Sequence, residues 1–213
     1  MKPHYWDDAV RELSRCDGVM GGIIERCPPG HLLTRGDPFQ TLARSIVGQQ
    51  ISVKAAQSVW NRFAAASREV TPQRVARMRM STLRACGLSE RKSEYLKDLA
   101  RHFVTREVDP GHWPSLDDEA VITELCGVRG IGRWTAEMFL IFNLMRPDVY
   151  PLDDIGLLRG IALHYRDPGA AAGESPSKVT RAQAIEIGER WRPWRTVATW
   201  YLWRSLDPLP VEY

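Results

Sequence analysis

Cysteine is scarce and dispersed in this chain. Cys16, Cys27, Cys86 and Cys126 form no CxxC pair, so neither a zinc site nor an iron–sulfur cluster has ligands at workable spacing, and the four read as reduced thiols. The histidines, His4, His31, His102, His112 and His164, are too far apart to suggest a metal site or an acid–base pair. Long apolar runs are missing too. Nothing approaches the roughly 18 uninterrupted apolar residues of a membrane-spanning helix, and Met1 to Trp6 lack the order of a signal peptide. A cytoplasmic protein with no membrane partner is the expectation. Period-two alternation is absent, and no Asn-Gly or Asp-Gly sits between β-branched runs, which argues against strands. Excess charge is slight. The 29 Lys and Arg stand against 26 Asp and Glu, a net charge of +3, which permits a nucleic-acid partner without demanding one.

What is present is an ordinary globular composition, 44% hydrophobic and 26% charged over 213 residues, enough for one domain or two small ones. Apolar residues recur with a helical period, and capping residues fall where that period starts and stops. Ser52 precedes "VKAAQSVWNRFAAA", Thr71-Pro72 opens "QRVARM", Gly87 stops a short helix near Ser81 to Ala85, and Ser89 opens "ERKSEYLKDLARHF". Ser115 to Asp118 and Thr180 to Gln183 both have the spacing of a capping box. Pro193 suits the first turn of a helix through "WRTVATWYLWRSL". The expectation is an all-α chain of about ten helices, with a long small-residue loop from Asp167 to Ser177. The segment Val108 to Ser115 is the expected crossing between two lobes: residues 1–35 with 110–213, and residues 36–109.

"GVRGIGRWTA", Gly127 to Ala136, joins a helix expected over Asp118–Cys126 to one over Gly132–Met145. Two explanations compete for its glycines. One is a plain helix–helix turn with glycine at the C-terminal cap. The other is an anion clamp, in which Gly130 and Gly132 bare the backbone beside a helix start and Arg133 joins the phosphate. Val128 and Ile131 anchor the turn in either case. Further on, "PLDDIGLLRG" sets Asp153 and Asp154 at the next helix start, where one carboxylate caps and the other is left for chemistry. Arg159 is either a surface arginine or a phosphate neighbour. Ser89 to Lys92 is a solvated helix start or a second phosphate contact.

The order of helix, "GVRGIG" hairpin, helix and "PLDD" resembles the helix-hairpin-helix and Gly/Pro/Asp superfamily of DNA base-excision glycosylases. "IGRWTAEMF" and "RWRPWRTVATWYLW" are similar to its 3-methyladenine DNA glycosylase II branch, over about residues 37–205. No β-rich amino-terminal domain of the kind found in that branch is evident in the sequence. The resemblance implies a two-lobed helical fold with a cleft between the lobes, residues 115–165 carrying the hairpin and the catalytic aspartate. It implies a glycosylase that flips alkylated purines of the 3-methyladenine and 7-methylguanine type out of double-stranded DNA and hydrolyses their glycosidic bond. Asp154 takes the catalytic position and Asp153 the capping one. Trp134 stands where strand-cutting members carry a lysine, so no lyase step is expected. Trp134, Met138 and Trp203 are the expected base pocket, and Gln50, with Gln49 beside it, the side chains that fill the gap left by the flipped nucleotide. Gly130, Gly132, Arg133 and Arg159 are the expected phosphate contacts. No cofactor is implied, although hairpin carbonyls in this superfamily can hold a monovalent cation. A monomer without an obligate protein partner, bound to the nucleoid when on DNA, completes the expectation. The rival readings are a non-catalytic helix-hairpin-helix DNA-binding module and a helical scaffold without DNA.

Overall fold

A computed structural model describes residues 2–34, 36–166 and 178–207, and all regular structure among them is helical. The expected loop from Asp167 to Ser177 lies outside the described residues. The α-helices are α1 (Trp6–Cys16), α2 (Gly18–Arg26), α3 (Pro38–Gly48), α4 (Val53–Ser67), α5 (Pro72–Arg77), α6 (Met80–Ala85), α7 (Glu90–Thr105), α8 (Asp118–Cys126), α9 (Arg133–Phe142), α10 (Ile155–Ile161), α11 (Arg181–Glu189) and α12 (Arg195–Leu206). A 3-10 turn at Trp113–Ser115 precedes α8, and a π-helical turn at Ala162–Arg166 follows α10. The all-α expectation holds. No helix among the described residues is long and apolar enough to cross a membrane.

Local chemistry accounts for most helix starts. Ser52, Thr71, Ser89 and Thr180 accept from the amides of Ala55, Arg74, Lys92 and Gln183, as their spacing predicts, and Gln183 completes a capping box. Ser115 does not cap α8. Its hydroxyl donates to His112 O inside the 3-10 turn, and Asp117 accepts from Ala120 N at 2.8 Å instead. A carboxylate is the stronger acceptor at the positive end of a helix. Pro193 lies ahead of α12, in a turn that Trp194 N closes on Trp191 O at 2.7 Å. Helix α9 stops at Phe142, short of Met145, because Met145 adopts a φ of +53° and Arg146 N turns back to Leu140 O.

Backbone contacts divide the chain into two compact units, Met1–Thr34 with Leu140–Tyr213, and Arg35–Phe139. In the first, α12 packs against α1, α2 and α10. Thr196 to Thr199 and Tyr201 to Trp203 are buried on every face of this helix, which is why its sequence shows no apolar stripe. Asp17 pins the same unit. Its Oδ1 accepts the Val19 and Met20 amides at the start of α2, and its Oδ2 accepts from Tyr165 OH at 2.9 Å and Trp191 Nε1 at 3.0 Å.

In the second unit α7 lies against α3, α5 and α6 and buries Leu96, Leu99 and Ala100. Each such leucine stabilises the unit by about 1.5–3 kcal/mol. This grouping keeps residues 110–139 with 35–109, whereas the sequence reading divides the chain in the 108–115 segment. That segment is tied down locally. Glu124 of α8 accepts from Asp109 N at 3.0 Å and Trp113 Nε1 at 2.7 Å, and Trp113 meets Phe139 of α9 edge-on.

Candidate active site

In the first unit the chain turns at Pro151, with Asp154 N donating to Pro151 O at 2.9 Å, and enters α10. Asp154 is itself the N-cap of that helix. Its Oδ1 accepts from Leu157 N at 2.7 Å and from the indole Nε1 of Trp203 at 2.8 Å. Asp154 as a whole is 5% exposed. The expected division of labour between the two aspartates is therefore corrected: Asp153 does not cap but reaches outward to Arg181 Nη1 at 2.7 Å, both side chains exposed.

The indole that holds Asp154 is itself packed on an aromatic ring. Trp203, 5% exposed, stacks on Phe142 with ring centroids 5.9 Å apart and planes 12° from parallel. Gly156 fits beneath the indole. A Cβ there would stand 3.0 Å from Trp203 Cδ1 and 3.1 Å from Asp154 Oδ1. Sequence reasoning singled out neither Phe142 nor Gly156. The one available signal was a glycine in the first turn of a helix, where glycine is a poor helix former.

In the second unit the hairpin hangs from α8 by Val128 N to Leu125 O and closes by Ile131 N to Val128 O, both 3.1 Å. Val128 and Ile131 are buried, as expected of anchors. Gly130 has a φ of +88° and lies flat on the Tyr95 ring, so close that an added Cβ would stand 2.2 Å from Cδ2. Gly132 differs. A Cβ there would meet nothing within 4 Å, so internal packing does not require a glycine at that position. Arg129 N is held by Asp98 Oδ2 of α7 at 2.9 Å.

Arg133 opens α9 and bridges both sides of the hairpin module, donating to Glu137 Oε1 at 3.0 Å and Glu119 Oε2 at 2.9 Å, with a second short bond to Glu119 Oε1. Hydrogen bonding to Glu119 holds the guanidinium pKa above its usual range, and the same bond lowers that of Glu119. One turn along α9, Trp134 is 37% exposed while Met138 is 6% exposed.

Gln50 is exposed and has a φ of +57°, whereas the Gln49 amide donates to Gly130 O at 2.8 Å. Of the hairpin carbonyls that the resemblance offers to a cation, Gly130 O is thus engaged already. Arg159 is exposed on α10 and makes no ion pair among the described residues. Ser89 to Lys92 is used internally: Lys92 Nζ donates to Val47 O at 2.8 Å and Arg91 Nη2 to Tyr95 OH at 3.1 Å.

A glycine hairpin followed in the chain by an indole-held aspartate that caps the next helix agrees with the family to which this chain belongs, the HhH-GPD superfamily of base excision DNA repair proteins, whose family model matches residues 43–185. The chain is 34% identical to DNA-3-methyladenine glycosylase 1 of Schizosaccharomyces pombe, across 93% of its own length and 90% of that protein's. It is 31% identical to DNA-3-methyladenine glycosylase 2 of Escherichia coli, covering 67% of that protein. Among solved structures, a DNA-3-methyladenine glycosidase from Bacillus halodurans superposes with a TM-score of 0.83 at 33% identity, covering 93% of this chain and 89% of that one. The S. pombe 3-methyladenine DNA glycosylase in complex with abasic DNA gives 0.75 at 31% identity, covering 95% and 99%.

Proposed function

We propose that the chain is a monofunctional DNA glycosylase that hydrolyses the N-glycosidic bond of alkylated purines, of the 3-methyladenine and 7-methylguanine type, in double-stranded DNA. The observation that carries the reading is the buried Asp154 carboxylate, held at Oδ1 by one backbone and one indole donor.

A purine alkylated at N3 or N7 is cationic and leaves without a strong general acid. What the reaction then needs is a fixed negative charge beside the oxocarbenium-like sugar as the bond breaks, and a water molecule to attack C1′. The base departs with the bonding electron pair, and water supplies hydroxide to the sugar and a proton to solvent. Asp154 meets the electrostatic demand with little reorganisation, because its Oδ1 is held by a helix amide and by a packed indole. Trp134 has no amine with which to form a Schiff base, which supports hydrolysis without strand cleavage. The Trp134 side chain, 37% exposed, offers an indole of the kind that attracts a cationic base. At the hairpin, the open space at Gly132 suits a DNA phosphate approaching the α9 amides, a contact that carries no sequence information.

The test is release of methylated purines from methylated duplex DNA by wild type and Asp154→Asn, with strand cleavage measured on the products. Asparagine caps a helix as well as aspartate does, so the variant isolates the charge. The expected result is release by the wild type with intact strands until alkali is added, and a loss on the order of a hundredfold or more in the variant. Equal rates would refute the role of Asp154. DNA binding without release by either protein would leave only the binding-module reading.

A further inference from the structure

The turn between α3 and α4, residues 48–52, is poorly closed by its own backbone. Gln49 N to Ile46 O and Ile51 N to Gly48 O are both 3.4 Å, at the long end of hydrogen-bond geometry. At its apex Gln50 sits at a φ of +57°, a left-handed conformation that costs a non-glycine residue on the order of 1 kcal/mol. Such a turn keeps its shape only if its surroundings hold it.

Two side-chain bonds do so, each 2.8 Å long. Lys92 of α7 donates to Val47 O, one of the carbonyls orphaned at the end of α3, where a cation also complements the helix dipole. Burial lowers the Lys92 pKa, consistent with an ammonium enclosed by this contact. Gln49 donates from Nε2 to Gly130 O, 81 positions away at the hairpin's left-handed glycine. Adjacent glutamines therefore have different surroundings. Gln50 is exposed and hydrogen-bonds to no described side chain, and Gln49 is half-buried and tethered.

We infer that Gln49 is a positioning residue: it couples the Gln50 turn to the phosphate-binding hairpin, so that anchoring a DNA phosphate at the hairpin also sets the register at which Gln50 enters the duplex. Lys92 is the second tether of the same turn. Gln49 is then a strut, and Gln50 alone fills the gap in the base stack. This inference rests on the glycosylase reading.

The experiment compares wild type, Gln49→Ala, Gln49→Leu and Lys92→Met on methylated purines in duplex and in single-stranded oligonucleotides. A duplex carrying 2-aminopurine beside a tetrahydrofuran abasic analogue reports insertion by its fluorescence rise, independently of catalysis. A strut needs the amide donor, whereas leucine is a competent wedge between bases. The expected result is a ratio of duplex to single-strand release about five- to tenfold lower in all three variants, the worth of one hydrogen bond, with the fluorescence rise diminished in parallel. A wild-type ratio in Gln49→Leu would overturn the inference, and so would equal slowing on both substrates, which marks general damage to the fold. If the wild type releases no base from either substrate, the glycosylase reading fails, and the fluorescence of Gln49→Leu alone decides the strut: wild-type brightness overturns it, a diminished rise upholds it.

Discussion

Trp203 and Asp154, 49 positions apart in the sequence, are joined by a 2.8 Å hydrogen bond from the indole Nε1 to Oδ1. The indole thus orients a carboxylate as well as filling space. Trp203→Phe keeps an aromatic ring against Phe142 and removes the donor. Base release is expected to slow on the order of tenfold, in kcat more than in KM. Single-turnover kinetics on methylated DNA check this, and an unchanged rate would reduce Trp203 to a packing role.

Gly156 lies against both members of that pair. Alanine is the better helix former by about 1 kcal/mol, so thermal stability should hold or rise in Gly156→Ala. Base release should fall all the same, because the new methyl displaces Trp203 by a few tenths of an ångström. Thermal melts beside release assays make the comparison, and a variant that is fully active would show that the indole has room to yield.

The two hairpin glycines should respond oppositely. Gly130→Ala meets both the positive φ and the Tyr95 ring, and should destabilise the fold by about 3 kcal/mol or more. Gly132→Ala should melt like wild type, since its Cβ meets nothing within 4 Å, yet bind duplex DNA more weakly if the open space takes a phosphate as proposed. Melting curves with fluorescence-anisotropy titrations separate the two cases. Normal DNA affinity in a folded Gly132→Ala would argue against the clamp.

Arg133 is shared between Glu119 and Glu137, and on the proposed clamp a DNA phosphate would compete with Glu119 for it. Glu119→Gln is therefore expected to tighten DNA binding at low salt. Arg133→Ala should weaken it and reduce the salt slope of log K by about 1. Identical salt slopes in Arg133→Ala and wild type would assign this arginine to bracing α8 against α9.

Burial raises the pKa values of Tyr5, Tyr150, Tyr165 and Tyr201, all in the first unit. Their folded-state values lie above the unfolded value near 10. The stability they contribute is therefore intact below that pH and declines as pH rises beyond it toward the folded values. The slope should approach ~1.4 kcal/mol per pH unit for each tyrosine that stays protonated. Urea midpoints at pH 8, 10 and 11 measure it; a flat profile across that range would show that the phenols reach water in the native state.

Much of the architecture was legible because it depends on residues a few positions apart. Ser52, Thr71, Ser89 and Thr180 each cap through an amide three residues on, and such spacing is written in the chain. The failures were ambiguities between neighbouring groups that compete for one role, which spacing alone does not rank. Asp153 and Asp154 are chemically equal in sequence, and the turn onto Pro151 O decides which one caps. Ser115 and Asp117 both precede α8, and the 3-10 turn takes the serine.

By itself, then, the sequence determined the helical class, most of the helix starts, the hairpin with its buried Val128 and Ile131, and the aspartate pair that follows, because periodicity and capping act over one or two turns. Helix packing alone sets the Trp203 indole, backed by Phe142, on Asp154, lays Tyr95 under Gly130, and lets Gln49 reach the hairpin while Gln50 stays exposed. Those relationships join residues from 35 to 81 positions apart through hydrogen bonds and ring contacts, which depend on how the helices pack and leave no period in the chain to read.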